Sequence, residues 1–281
     1  MAQHRARHGK EARSGKEARF GKEARSGRDG GRRADRRGAS AAETVRIYGL
    51  HAAEAALTNP KRRVRAIHAT ANAAQRLELT AMPGRPPLHT VQPRDLDRML
   101  GADSVHQGIL LEADRLPEVE MDALQEARLV VVLDQITDPH NVGAVLRSCA
   151  AFGVEALIMT ERHSPPLAGS LAKAASGGLE HVPVVLVPNL ARAMGDLGEM
   201  GFFRAGLDSG GGATFEELPA QDRMAIVLGA EDRGLRRLTG ELCDAVAALS
   251  TAGPIRSLNV SNAAAIALHT AHLKMRNRPS A

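Results

Sequence analysis

The sequence predicts an α/β protein in which two folded segments follow a disordered basic tail. Between residues 128 and 281, short apolar runs rich in β-branched residues alternate with helical periodicity. That alternation is typical of a parallel sheet covered by helices on both faces. Residues 44–113 alternate in the same way over a shorter length and form a small α/β unit. With 281 residues, of which 43% are hydrophobic, the chain can build a core in each segment.

The tail, residues 1–43, carries the positive charge of the chain. It holds 13 Lys and Arg against 6 Asp and Glu, whereas the whole chain has a net charge of +5, so the remainder is slightly acidic. The pentapeptide Gly-Lys-Glu-Ala-Arg recurs at 9–13, 15–19 and 21–25. A period of six does not maintain one face of a helix, and apolar side chains are nearly absent. We therefore expect disorder. The tail serves either as an electrostatic arm for RNA phosphates or as a solvated extension.

The small α/β unit has predicted elements that are short and separated by Gly, Pro and Asn. A strand ends at Gly49, and Asn59-Pro60 stops the first helix. The expected helices cover 52–57, 71–80 and 96–99, and the expected strands cover 64–68 and the end of 105–111. The acidic, Pro-containing stretch 114–127 is interpreted as a linker.

The second segment supplies the expected parallel sheet. Its predicted strands cover 129–133, 154–159, 184–187, 202–207, 224–228 and 245–249, and its clearest helices cover 141–152 and 259–275. Ligands of such sheets bind in the loops at the carboxyl ends of the strands. Functional residues are therefore expected in the loops after 133, 228 and 249.

Composition excludes several classes of function. The two cysteines, Cys149 and Cys243, are too few for a disulfide framework or a four-thiolate zinc site, and we expect no metal. No apolar run approaches the roughly 18 residues of a membrane helix, and no signal peptide is evident. The sequence contains neither the G-x-G-x-x-G pattern of dinucleotide-binding proteins nor the G-x-x-x-x-G-K-[ST] pattern of nucleoside triphosphatases. A nicotinamide or nucleoside triphosphate cofactor therefore has no support. We expect a cytoplasmic protein without membrane contact.

Three loops carry candidate functional residues. In the first loop, Asn141 is placed to cap a helix, Gly143 would let a ligand backbone approach, and Arg147 follows on the same helix. In the second, an apolar strand runs into Gly229-Ala-Glu231. The third contains Ser257-Leu-Asn-Val-Ser261, in which Ser257 or Asn259 can cap the Ala-rich last helix. Taken singly, these are capping residues and surface charges.

Taken together, the three loops carry a family signature. The ordered set Asn141-x-Gly-x-x-x-Arg147, Leu228-Gly-Ala-Glu-x-x-Gly-Leu235 and Ser257-Leu-Asn-Val-Ser261 resembles the motifs of the SpoU (TrmH) branch of the SPOUT RNA 2′-O-ribose methyltransferases. The segment with Tyr48-Gly-Leu-His51 and His106-Gln-Gly108 looks like the L30e-like RNA-binding domain of many members. The implied layout is a tail over 1–43, an L30e-like domain over 44–113, a linker over 114–127 and a SPOUT domain over 128–281.

The resemblance implies a fold, a reaction and a set of roles. The fold is a parallel sheet with a deep C-terminal trefoil knot, and the reaction is transfer of a methyl group from S-adenosylmethionine to the ribose 2′-hydroxyl of a guanosine in large-subunit (23S) ribosomal RNA. By position, Gly229, Leu249 and Leu258 would contact the cofactor. The catalytic set would be Asn141, Arg147, Glu231, Asn259 and Ser261. Family members are dimers in which both subunits line each active site, so a homodimer is expected.

Arg147 matches the family's catalytic arginine. Because arginine stays protonated in proteins, we expect it to clamp an RNA phosphate and stabilise developing alkoxide charge, with the RNA phosphate or water accepting the proton. Asn141 would orient Arg147 or the ribose. Further phosphate attraction would come from the tail and from a group of local arginines, namely Arg46, Arg62, Arg63 and Arg65.

Two other interpretations stay open. One keeps the fold and the chemistry but takes transfer RNA as substrate. The other is a non-catalytic RNA-binding or assembly factor that has retained the fold. The intact set of Asn141, Arg147, Glu231 and Asn259 argues against the second, because a protein that only binds RNA does not need all four.

Overall fold

Residues 44–276 form two β-sheets, an N-terminal one and a C-terminal one. The computed structural model of the protein describes residues 44–276, so the tail and its predicted disorder lie outside the described residues. The N-terminal segment consists of β1 Thr44–Tyr48, α1 Leu50–Thr58, β2 Val64–Ala69, α2 Ala71–Arg76, β3 Leu88–Thr90, α3 Pro93–Leu100 and β4 Ile109–Asp114.

The N-terminal sheet has four strands in the order β1-β4-β2-β3. The strand β4 pairs antiparallel with both β1 and β2, and only β2 and β3 run parallel. The predicted helix over 71–80 is interrupted, because α2 ends at Arg76 and Glu78 takes a left-handed backbone conformation with φ of 50°. A single 3₁₀ turn, Leu79–Ala81, follows. The acidic linker contains another such turn, Met121–Leu124.

The C-terminal segment alternates strands and helices as predicted, with several short helices that sequence patterns did not indicate. Its elements are β5 Leu129–Asp134, α4 Pro139–Phe152, β6 Ala156–Thr160, α5 Gly169–Ala175, α6 Gly178–His181, β7 Val184–Val187, α7 Leu190–Glu199, β8 Phe203–Leu207, β9 Ala213–Thr214, β10 Met224–Gly229, α8 Arg237–Glu241, β11 Ala245–Ala248 and α9 Val260–Arg276.

The C-terminal sheet is parallel, and both of its faces are covered. Its seven strands follow the order β7-β6-β5-β10-β8-β11-β9, and every pair of neighbours runs parallel. All six residues of β5 are buried. Val131 and Leu133 belong to one hydrophobic cluster, and Val130 and Val132 belong to the cluster on the opposite face. The prediction of a sheet covered on both faces is confirmed. The trefoil knot stays a prediction, because strand order alone does not define how a chain is threaded.

Helices α4 and α9 pack against each other on one face of this sheet. Small side chains make the close approach possible, since Ala264, Ala267 and Ala271 of α9 are fully buried. The helix α4 ends at Gly153, whose φ of 70° is the left-handed conformation that favours glycine at a helix end. This packing fixes α4, which carries the first motif, relative to α9, which follows the third.

A buried ion pair joins the two segments. The Arg62 guanidinium donates to both carboxylate oxygens of Glu180 in α6 at 2.6–3.1 Å, and Asn59 Nδ2 donates to the same carboxylate at 2.8 Å. The side chains of Arg62 and Glu180 are only 1% and 2% exposed. Arg62 also donates to the carbonyl of Asp114 at 2.8 Å. The helix α1 packs against α5 and α6 beside this pair, so the segments are fixed to each other.

The expectation that Arg62 attracts RNA phosphate is therefore wrong. The side chain is buried because it neutralises Glu180, and it has no surface to offer a ligand. Two of its neighbours also have protein partners: Arg46 donates to the Met99 carbonyl at 2.6 Å, and Arg65 pairs with Asp114, where its hydrogen bond lowers the pKa of that carboxyl. Only Arg63 of the four is exposed without such a contact among the described residues.

Within residues 44–276, no helix has the length and apolarity needed to cross a membrane.

The Arg62–Glu180 pair generates a prediction about stability. Glu180→Gln leaves the Arg62 charge buried and uncompensated, which costs about 3–5 kcal/mol in comparable pairs. We expect a clear fall in the urea midpoint of unfolding. Glu241→Gln is the matched control, because it removes the carboxylate of an ion pair with Arg237 whose side chains are 52% and 82% exposed. Such a pair contributes little, so its midpoint stays near wild type. Equal midpoints for the two variants would contradict this account of the segment interface.

Candidate active site

The first motif begins at the N-terminus of α4. Asp138, rather than Asn141, is the N-cap residue: its carboxylate accepts the His140 backbone N–H at 3.1 Å, and Pro139 fills the first helical position. The expectation that Asn141 caps this helix is wrong, because Asn141 already lies inside the first turn. Its side chain is consequently free to reach across to another loop.

The second motif follows β10 and turns back tightly. Gly234 N–H donates to the Ala230 carbonyl at 2.8 Å, which places Gly234 directly over Gly229. A Cβ on Gly229 would lie 2.2 Å from the Gly234 carbonyl, so only glycine fits there. Asp134, buried at the end of β5, accepts from the Arg236 guanidinium at 2.6 Å and from its backbone N–H at 3.1 Å. These contacts hold the loop against the carboxyl edge of the sheet.

The third motif leads into α9 through Asn259. Its Oδ1 accepts the Ser261 backbone N–H at 2.9 Å and the Ser261 hydroxyl at 2.6 Å. Of the two capping residues considered from the sequence, Asn259 therefore takes the role. Within residues 44–276, the side-chain hydrogen bond that links Ser261 to the other motif residues goes to Asn259.

The three motifs meet in one hydrogen-bonded polar cluster, formed by Asn141, Glu231 and Asn259. Asn141 Nδ2 donates to Glu231 Oε1 at 2.9 Å, and Asn259 Nδ2 donates to the same oxygen at 2.5 Å and to Asn141 Oδ1 at 3.0 Å. Glu231 is thus joined at the carboxyl edge of the sheet to Asn141, 90 positions before it, and to Asn259, 28 positions after it. The cluster lies open to solvent, and Asn259 is its hub because Oδ1 also holds Ser261.

Arg147 lies apart from the polar cluster. Six residues along α4 separate it from Asn141 by about 9 Å along the axis and about 120° around it. The exposed Arg147 side chain instead lines a cleft against the N-terminal segment, together with residues such as Lys173 and Gln107. Asn141 does not hydrogen-bond to Arg147, since its amide is engaged by Glu231 and Asn259. Of the two roles expected for Asn141, orienting the ribose is the one compatible with these contacts.

The residues expected to bind the cofactor lie on the same edge of the sheet. Gly229 ends β10, Leu249 directly follows β11, and Leu258 precedes α9 and is 39% exposed. Between them, residues 251–258 form no hydrogen bond with any other residue of the described range 44–276. Exposed backbone groups beside the apolar Leu258 and the 74% exposed Ile255 suit a ligand with both polar and apolar faces.

Thiol and metal chemistry receive no support from the described residues. Cys149 and Cys243 are free, and burial raises the pKa of both thiols, that of Cys243 to about 11. A thiol with a raised pKa is a poor nucleophile. Within residues 44–276, no group of three His, Cys, Asp or Glu side chains is arranged to hold a metal ion.

Two family models match the chain, one in each segment. The model of the SpoU rRNA Methylase family matches residues 128–269, and the model for RNA 2′-O ribose methyltransferase substrate binding matches residues 46–119. The chain belongs to the SpoU rRNA methylase family.

Individual relatives of this SpoU methylase extend the likeness. The 23S rRNA (guanosine-2′-O-)-methyltransferase RlmB of Pseudomonas aeruginosa is 35% identical over 234 residues, which cover 79% of this chain and 94% of that protein. An uncharacterized tRNA/rRNA methyltransferase of Mycobacterium ulcerans is 37% identical over 188 residues, covering 65% of this chain but only 60% of that protein. The crystal structure of the SpoU methyltransferase AviRb from Streptomyces viridochromogenes, in complex with AdoMet, superposes with a TM-score of 0.70. It is 22% identical and covers 83% of this chain and 91% of AviRb. That likeness shows the fold.

The sequence did not single out two residues that lie beside the candidate residues: Asp134, which holds the second loop, and Lys173, which lines the cleft with Arg147. Asp134 ends an apolar strand, and its acidic side chain directly after five apolar residues was the available signal. Lys173 lies on α5, a helix that the sequence did not reveal, so it could not be brought near Arg147 in advance.

Gly143 has a different role from the one expected. A Cβ at this position would lie 2.6 Å from both the Ala174 Cβ and the Leu171 carbonyl oxygen, so its glycine allows α4 to pack closely on α5. The expectation that it admits a ligand backbone is wrong, because α5 already occupies that space.

Gly143→Ala should therefore destabilise the protein. Overpacking of this kind costs about 1–3 kcal/mol, which urea unfolding would measure. Gly195→Ala is the matched control, since a Cβ there meets nothing within 4 Å and Gly195 is inside α7. Alanine is the better helix former, so this variant should be as stable as wild type or slightly more stable. Unchanged stability of Gly143→Ala would contradict the packing role.

Proposed function

We propose that this SpoU methylase transfers the methyl group of S-adenosylmethionine to the ribose 2′-hydroxyl of a guanosine in 23S ribosomal RNA. The observation that carries the proposal is the polar cluster, in which Asn141, Glu231 and Asn259 from three separate motifs are tied together at the carboxyl edge of a parallel sheet. The choice of substrate is supported by the reaction in the name of the RlmB relative from Pseudomonas aeruginosa. The match covers 94% of that relative's length.

The cofactor would be held by Gly229, Leu249 and Leu258. Their neighbourhood fits a nucleoside, because exposed Leu258 and Ile255 offer apolar contact and the backbone of 251–258 has hydrogen-bonding groups to spare. When bound, S-adenosylmethionine supplies an electrophilic methyl group that needs alignment with the ribose oxygen rather than further activation.

The side chains of the protein would stabilise the charge that develops on the ribose oxygen and keep the reacting groups in position. Arg147 would bind a phosphate of the RNA and stabilise the alkoxide that develops as the 2′-hydroxyl loses its proton to that phosphate or to water. Glu231 keeps the amides of Asn141 and Asn259 oriented, and Ser261 fixes Asn259 from the other side. Asn141, whose amide still has one free hydrogen and one free oxygen lone pair, would then present fixed hydrogen-bonding groups to the ribose, and Asn259 would hold Asn141 in place.

A homodimer is part of the proposal. An exposed, partly apolar stripe runs along α9, with Ile266 42% and Leu273 37% exposed and His269 between them. The distance of Arg147 from the polar cluster of its own chain also supports an active site to which both subunits contribute. The enzyme would act where ribosomal RNA matures, in the cytoplasm, on free 23S rRNA or on an assembling large subunit.

The reaction is tested by methyl transfer from radiolabelled S-adenosylmethionine to three substrates: unmodified 23S rRNA, immature large-subunit particles and transfer RNA. We expect label on a guanosine ribose in one of the first two. Arg147→Ala should lower the rate by about 100-fold or more, the loss typical of removing a transition-state donor. Arg192→Ala, an exposed arginine on α7, should leave the rate unchanged.

Each other outcome has a defined meaning. Label on transfer RNA alone would overturn the substrate while keeping the chemistry. Cofactor binding without label on any of the three substrates would favour a non-catalytic RNA-binding factor.

The dimer is tested by sedimentation equilibrium. The double variant Ile266→Glu and Leu273→Glu places charge in the α9 stripe and should yield monomers, because unpaired carboxylates are costly in an interface. Val105→Glu is the control, since Val105 is 63% exposed in the N-terminal segment. A wild-type protein that sediments as a monomer would overturn the dimer.

A further inference from the structure

The cleft that contains Arg147 has a composition suited to an anion. We call it the basic cleft; it is formed by Gly49, His51 and Gln107 of the N-terminal segment facing Arg147, Lys173 and Ser176 of the C-terminal segment. None of its lining residues is acidic. Among residues 44–276, neither the Arg147 guanidinium nor the Lys173 ammonium has a hydrogen bond or an ion pair. Two cations without protein partners therefore share one concave surface.

Lys173 is held in the cleft by its aliphatic stem. The stem passes over Gly49, where an added Cβ would lie 3.1 Å from Lys173 Cγ. Gly49 has φ of 93°, so the strand β1 turns into α1 without a side chain in the way of the lysine. Packing of the stem limits the positions that the ammonium group can take. Lys173 lines the same cleft as Arg147.

The opposite wall supplies hydrogen-bond donors. Gln107, with φ of 56°, accepts the Leu50 backbone N–H on Oε1 at 3.0 Å, which leaves its amide hydrogens for another acceptor. The exposed imidazole of His51, one residue further into α1, lines the same space.

The segments that supply the two walls are held together by buried contacts. The Arg62–Glu180 pair joins them, and Gly177 lets α1 approach the C-terminal segment, since a Cβ there would lie 2.9 Å from Ala55 Cβ. A cleft whose walls cannot separate freely is prepared for its ligand before binding, which reduces the entropy lost on association.

We propose that the basic cleft binds a phosphodiester of the substrate RNA next to the target nucleotide, with Lys173 as the phosphate-binding side chain and Gln107 and His51 as donors. The RNA chain would thus be held by both segments at once. The inference rests on the proposed function for the identity of the polymer. Lys173 is a positioning residue: it fixes the RNA backbone, and Arg147 in the same cleft keeps the role proposed above, binding a phosphate and stabilising the alkoxide at the reacting ribose.

The test compares Lys173→Met, which keeps the stem and removes the charge, with Lys61→Met at an exposed lysine outside the cleft. Binding of a 23S rRNA fragment is measured between 50 and 200 mM salt, on the order of the range in which phosphate contacts dominate affinity. We expect Lys173→Met to weaken binding roughly tenfold at the lowest salt and to reduce the slope of log K against log salt by about one. Lys61→Met should match wild type, and Lys173→Arg should restore most of the affinity.

Catalysis gives a second measurement. Lys173→Met should raise KM for RNA while changing kcat much less, the pattern of a lost uniform binding contact. Unchanged binding of S-adenosylmethionine and an unchanged urea midpoint show that the variant is folded. RNA affinity and salt slope equal to wild type would overturn the basic cleft as a phosphate site.

Failure of the two proposals can be told apart. If wild type methylates no RNA but Lys173→Met still weakens RNA binding selectively, the proposed function fails and the cleft stands. If inorganic phosphate raises the Tm of the wild-type protein but RNA affinity does not depend on Lys173, the ligand of the cleft is a small anion. The RNA assignment is then overturned.

Discussion

The pairing of β5 with β10 at the centre of the C-terminal sheet is the constraint on which the site depends. Its register sets Gly229 opposite Asp134, so the ends of two strands far apart in the chain lie at one edge. From that edge Asp134 holds the second loop through Arg236, and Glu231 in that loop binds the amides of Asn141 and Asn259. A slip of the register by one residue would turn every side chain of the strand to the opposite face and dissolve the cluster.

Burial separates the basic side chains of this protein into two groups, those paired inside the fold and those whose charge remains available to a ligand. Arg62 is sealed inside the interface between the segments and neutralises Glu180, whereas Lys173 and Arg147 keep their charge available in the basic cleft. The buried pair joins the two segments whose residues line the open cleft. Electrostatic attraction to RNA is therefore not a sum over arginines and lysines. It depends on which of them have already been paired within the fold.

Local patterns in the sequence were sufficient for the long elements. The apolar run at β5 and the periodicity of α4 and α9 predicted those elements within a few residues, because each pattern reports burial on its own face. They failed for α5, α6 and α8, which have four to seven residues and too few turns to show a period. The ten-residue helix α7 was also not predicted. The local patterns also failed at Glu78, where a left-handed residue ends the predicted helix, since glutamate carries no signal for that conformation.

By itself the sequence determined the α/β class, the three motifs and the candidate residues in them. Tertiary structure decided which contacts those residues make. It made Asp138 the cap of α4 and freed Asn141 for the polar cluster, assigned Gly143 to helix packing, and separated Arg147 from the cluster while bringing Lys173 beside it. The physical reason is that hydrogen bonds, close packing and ion pairs between residues distant in sequence form only once the sheet has set its register, and no local pattern encodes that register.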